Sequence, residues 1–119
     1  MKLNHILLEL LFVAFLVGCA STDEMKLDTT KREPSQSVEV YHFETDKPLP
    51  SKPYKVIATM RFQGALQDGP KSRNYFTNRA KQLGASAVII ERPENGGTQG
   101  GPYGSAPSFI YKAKAVVYQ

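Results

Sequence analysis

The stretch Phe76-Thr77-Asn78-Arg79-Ala80-Lys81-Gln82-Leu83-Gly84-Ala85-Ser86-Ala87-Val88-Ile89-Ile90-Glu91 decides the fold. In its first half Phe76, Ala80 and Leu83 recur at helical spacing while Asn78 and Lys81 fall elsewhere around the cylinder, which predicts an amphipathic helix. Gly84 ends that helix, because glycine takes the left-handed conformation without a steric penalty. Ala85 to Glu91 is nearly continuously apolar and bounded by Gly84 and Pro93; at that length it predicts a buried strand. Before the helix, Asp68-Gly69-Pro70 closes a loop, and either Asp68 or Ser72 can cap it by accepting from free amides of the first turn.

Working outward, Tyr54, Val56, Ala58 and Met60 alternate with Lys55, Ile57, Thr59 and Arg61, a strand with one apolar side. Strand, helix, strand in this order predicts a right-handed parallel crossover. Upstream, Pro48, Pro50 and Pro53 lack amide donors and forbid a central strand or helix over 46–53, leaving a stiff connection. Before it, Val38, Val40 and His42 alternate with Glu39, Tyr41 and Phe43, the period of a half-buried strand. Downstream, 94–107 holds Gly96, Gly97, Gly100, Gly101 and Gly104 with Pro102 and Pro107, a flexible loop by composition. Phe109, Tyr111, Ala113, Ala115 and Val117 then alternate with Ile110, Lys112, Lys114, Val116 and Tyr118, the longest period-two run in the chain.

These elements predict an α+β domain over 38–119: a small four-stranded mixed sheet with one helix packed on one face, in the order β-β-α-β-β. Ala58, Ala113 and Ala115 suit the helix side, since a helix approaches closely only over small side chains. The other side then carries Ile57, Thr59, Arg61, Ile110, Lys112, Lys114, Val116 and Tyr118. Antiparallel sheets often leave one face wet, so this mixture is either a solvated face or a docking surface.

The amino terminus reads as an address. Residues 1–18 combine a short start bearing Lys2 with the apolar run Ile6 to Val17 and then Gly18, the anatomy of an export signal. As a helix the run covers roughly 18 Å, short of the roughly 30 Å hydrocarbon core, and Glu9 interrupts it, so it is a poor permanent span. After Cys19, residues 20–37 are polar and charged, with only Met25 and Leu27 as large apolar side chains, and they predict a flexible leash.

Leu16-Val17-Gly18-Cys19 resembles the lipobox of bacterial lipoproteins. That resemblance implies a lipidated Cys19 at the new amino terminus, cleavage of the signal before it, and a soluble domain held to the membrane by acyl chains; two or three chains hold a protein almost permanently. In that family an Asp directly after the cysteine retains the protein in the inner membrane. Ala20 and Ser21 stand here, so the outer membrane is favoured in a cell with two membranes, with the domain in the periplasm. A second likeness lies in Arg79-Ala80-Lys81-Gln82-Leu83-Gly84-Ala85-Ser86-Ala87-Val88-Ile89-Ile90: with its flanking strands the layout is similar to the domain of RcsF-type outer-membrane lipoproteins, which implies an envelope interaction, stress-sensing or structural module. Members of that group pair cysteines within this domain, and this chain has none there.

Composition limits the chemistry. The 119 residues are 41% hydrophobic and 22% charged, as in one small globular domain. The formal charge of +4 is spread along the chain, too weak a bias to argue nucleic acid. With one cysteine, neither an internal disulfide nor a Cys-based zinc site forms within one chain. His42 with Glu44 and Asp46 at period two can hold a divalent metal, and a metal- or small-ligand module is the alternative function. No spacing singles out a pair among Glu39, Glu44, Glu91 and Glu94, and the glycine loop precedes a strand and not the helix a phosphate cradle needs. The expectation is therefore a noncatalytic protein without cofactor. Its partners are the membrane, through lipid on Cys19, and an envelope protein or peptidoglycan at the uncovered face.

Overall fold

A computed structural model describes residues 21–101 and 104–119; the signal predicted over 1–18 and the lipidation site Cys19 lie outside them. The chain forms β1 (Ser21–Lys26), β2 (Glu39–His42), β3 (Tyr54–Gly64), a 3-10 turn (Leu66–Asp68), α1 (Gly69–Gln82), β4 (Ala87–Ile90), β5 (Glu94–Gly101) and β6 (Gly104–Tyr118). One mixed sheet runs in the order β1-β3-β6-β4-β2, with β5 also paired to β6. The β2–β4 pair is parallel and the β1–β3, β3–β6, β4–β6 and β5–β6 pairs are antiparallel.

The fold is thus α+β, a mixed sheet with one helix on a face, but with six strands among the described residues where four are expected. The strands flanking α1 are parallel as expected, although β6 lies between β3 and β4. The two added strands fall in segments predicted to be flexible. Ser21–Lys26 pairs residue for residue with Gln63–Ala58, so a strand ahead of 38–119 belongs to the sheet. Within 94–107, β5 is held by the length of β6, which extends beyond β3 and β4 and offers unpaired backbone groups; satisfying them outweighs the low strand preference of glycine.

The segment after β1 is also tied down. Leu27 and Asp28 both donate backbone N–H groups to the Ile57 carbonyl at 2.9 and 3.2 Å. Ser35 donates its N–H to the Lys81 carbonyl at 2.8 Å, which also accepts the Gly84 N–H at 3.1 Å, and its hydroxyl to the Ala85 carbonyl at 2.7 Å, so it ties the segment to the end of α1 and to the approach to β4. Gly84 takes φ +74° there, as its role at the helix end requires. At the other end Asp68 stands at the N-cap position as one of the two expected candidates, but its side chain makes no cap hydrogen bond, and Ser72 lies inside the helix. The Asp68 carboxylate accepts from the Ala65 N–H at 2.8 Å, closing the preceding turn, and the Ser72 hydroxyl donates to the Gly69 carbonyl at 2.7 Å.

The core lies between α1 and the sheet. Phe76 and Ala80 are fully buried against Ala58, Met60, Phe62, Val88, Ala113 and Ala115, so the expected small residues do face the helix. Burial of side chains such as Phe76 and Met60 contributes about 1.5–3 kcal/mol each. Ile57 belongs to this core as well, at 3% exposure, which corrects its expected position on the opposite face. A β-bulge is the cause: Val56 pairs with Val116 and Ala58 with Ala115, leaving Ile57 as an extra residue. The bulge shifts the alternation, sending Tyr54 and Val56 to one side of the sheet and Ala58, Met60 and Phe62 to the other.

Candidate functional site

The face of the sheet away from α1 divides into two halves. Toward the start of β3, Ala87, Ile89 and Val116 form a second cluster covered by Tyr41, Tyr54, Val56 and Tyr118. The Tyr41 and Tyr118 hydroxyls donate to the Glu39 carboxylate at 2.6 and 3.0 Å, and Lys52 lies 4.9 Å from the centre of the Tyr118 ring. The two phenols hold the Glu39 carboxyl below its usual range, the Tyr41 bond contributing most. Burial first, then the bonds to Tyr41 and Glu39, push the Tyr118 phenol well up. Val116, expected on an open interaction face, is on this side but fully buried, because rings from β2, β3 and β6 close over it.

Toward the end of β3 the face is charged. Register sets Thr59 opposite Lys114, Arg61 opposite Lys112 and Gln63 opposite Ile110, while β1 lays Asp23 across from Arg61 and Met25 across from Thr59. Lys112 pairs with Glu94 and Lys114 with Glu91, each at 3.1 Å and each substantially exposed. Among the described residues Arg61 makes no ion pair. Thr59, Arg61, Glu91, Lys112 and Lys114 line a shallow depression of about 370 Å³. Arg61, Ile110, Lys112, Lys114 and Tyr118 therefore share one face, without Ile57 and with Val116 covered.

This half of the face has two physical peculiarities. Arg61 and Lys112 are like charges directly opposite each other, an arrangement that disfavours the sheet by a few tenths of a kcal/mol. The lysine–glutamate pairs are surface pairs of the kind worth about 0–1 kcal/mol, so they can be exchanged for other partners at little cost. The positions of Glu91 and Glu94 beside these lysines carry no signal in the sequence, because they follow from β4 and β5 both pairing with β6.

The His42, Glu44 and Asp46 grouping does not form. β2 ends at His42, where a turn begins in which the Thr45 N–H donates to the His42 carbonyl at 3.0 Å, so period two stops. The imidazole Nδ1 accepts the Glu44 N–H at 3.3 Å and the ring stacks on Phe43 with centroids 4.4 Å apart. Burial, then the Arg73 cation, hold its pKa below the usual value, with Glu44 opposing. Among the described residues no group of three His, Cys, Asp or Glu side chains is arranged to hold a metal, and no helix is long and apolar enough to cross a membrane.

A further constellation was not legible in the sequence. Arg79 of α1 donates Nε and Nη2 to the two carboxylate oxygens of Glu24 at 2.6 and 2.9 Å, fastening β1 to the helix.

No protein-family model matches the chain, and no curated protein does. The structure is similar to that of the Francisella virulence factor FvfA in its orthorhombic crystal form, at 14% identity and a TM-score of 0.45, over 78% of this chain and 96% of that one.

Proposed function

We propose that the chain is a bacterial lipoprotein, anchored in the envelope through acyl chains on Cys19, whose small domain is a noncatalytic interaction module in the periplasm, with the outer membrane favoured as its site. The lipobox-like Leu16-Val17-Gly18-Cys19 supports the anchor. The observation that carries the interaction reading is the Arg61–Lys112 like-charge pair, with Lys114 beside it, on a face that α1 leaves uncovered. A partner protein presenting carboxylates would relieve that repulsion and take over the exposed lysine pairs with Glu91 and Glu94.

Two measurements test the proposal. Intact mass of membrane-extracted protein must show a diacylglyceryl addition at Cys19. A photoreactive residue in place of Thr59 in intact cells must give a protein adduct that disappears when Lys112→Asp and Lys114→Asp are combined. An adduct indifferent to charge reversal, or one formed only with peptidoglycan, refutes the assignment of the face.

A further inference from the structure

We infer that the end of the sheet carrying Ser21, Leu66 and the β5–β6 ribbon is a lipid-contacting edge, with the ribbon laid on the headgroups; this rests on the lipidation of Cys19 proposed above. Only Ala20 separates Cys19 from β1, and the two steps from Cys19 to Ser21 span at most about 7 Å. The lipid would therefore hold the domain directly at the bilayer. Ser21 is paired with Gln63, which places the tether at the end of β3 where the β3–β6 ladder closes at Gly64 and Phe109. From Phe109 back to Gly104, β6 continues with β5 as its partner, roughly 17 Å further at the usual rise. The ribbon thus overreaches the tether, and a domain standing upright on its lipid would drive the ribbon through the headgroups. Tilting the sheet lays the ribbon along them.

The chemistry of this edge suits that position. After Glu94 the described ribbon residues include no charged side chain, so phosphates do not meet carboxylates there. Leu66 projects from the turn after β3 with 70% of its surface exposed. The Tyr111 hydroxyl pins that turn by donating to the Ala65 and Leu66 carbonyls at 2.7 and 3.1 Å. Exposed Lys71 and Arg73 follow in the start of α1, while the nearby Asp68 carboxylate is turned inward to the Ala65 N–H. An apolar side chain flanked by cations is the pattern of an interfacial contact.

The chain has no tryptophan, so single substitutions report depth without background. Leu66→Trp, Thr98→Trp and, at the opposite end of the sheet, Gln119→Trp would be made in the full chain, extracted from membranes, checked by intact mass and circular dichroism, and reconstituted in vesicles of lipid brominated near the headgroup. Leu66→Trp and Thr98→Trp should each lose about half their emission relative to unbrominated vesicles, as interfacial probes do, and Gln119→Trp should lose none. If the mass shows lipid but Gln119→Trp is quenched in place of the other two, or none is quenched, the orientation is overturned and the anchor stands. An unmodified Cys19 in the mass spectrum removes the anchor and the orientation with it.

Discussion

Replacing Glu24 tests whether Ser21–Lys26 is a bound strand or part of a leash. Glu24 and Arg79 form a bidentate pair whose side chains are 16% and 30% exposed, between the limits of a surface pair and a buried one. Exposed pairs are worth about 0.2–1 kcal/mol and breaking buried ones costs about 3–5 kcal/mol, so Glu24→Ala should lower stability by about 1.5 kcal/mol. In a domain of this size that is a fall in Tm of roughly 6–12 °C. Urea denaturation of the chain from Ala20 onward would measure it, and a double-mutant cycle with Arg79→Ala should return a coupling of about 1 kcal/mol. The pair also has a pH signature. The Arg79 hydrogen bond, against the opposing effect of burial, holds the Glu24 carboxyl below its usual range. Its contribution is therefore complete above the unfolded pKa of about 4.3 and is lost as pH falls below that. Additive single variants, or a Glu24→Ala chain as stable as the wild type, would refute the docking of β1.

Two other expectations concern the same amino-terminal segment. In Gly84→Ala the new Cβ would stand 2.6 Å from both the Arg32 Cβ and the Glu33 carbonyl oxygen, at a φ of +74°, so a loss exceeding about 1 kcal/mol is expected; calorimetry finding no change in Tm would show that 32–33 is free to move away. Asp28 is held far below the usual carboxylate range by Lys55 above all, then by Thr30 and Arg32, so its stabilisation is present above the unfolded pKa of about 3.9 and fades as pH falls. Asp28→Asn should flatten the acid side of the urea-midpoint profile, and an unchanged slope would contradict this.

The parts of the fold that repeat a period were legible. Phe76 and Ala80 mark the buried side of α1, Gly84 its end, and the alternation of β6 correctly separates Tyr111, Ala113 and Ala115 from Lys112 and Lys114. The failures have separate physical causes. Ser21-Thr22-Asp23-Glu24-Met25-Lys26 has no apolar alternation because it is an edge strand, mostly exposed on both sides, and its attachment to Arg79 joins positions that no spacing rule connects. Simple alternation puts Ile57 on the wrong face because no glycine or proline in β3 before it signals the bulge that moves it. The charged half of the candidate site could be read as a row of cations, yet its glutamates, and the tyrosines that cover Val116, are brought there by pairings between strands far apart in the chain. The period that would group His42 with Glu44 and Asp46 stops at His42, where β2 gives way to a turn.

The place of β6 has a consequence for how the molecule is made. It is the central strand, and it follows every other strand in the chain. Until it emerges from the ribosome, β1 with β3 and β2 with β4 are isolated pairs, each too small to persist in water. The nascent polypeptide would therefore remain open and pliable through most of its synthesis. A nonsense mutation at Phe109 or shortly before it would leave the β1–β3 and β2–β4 pairs with no strand to join them.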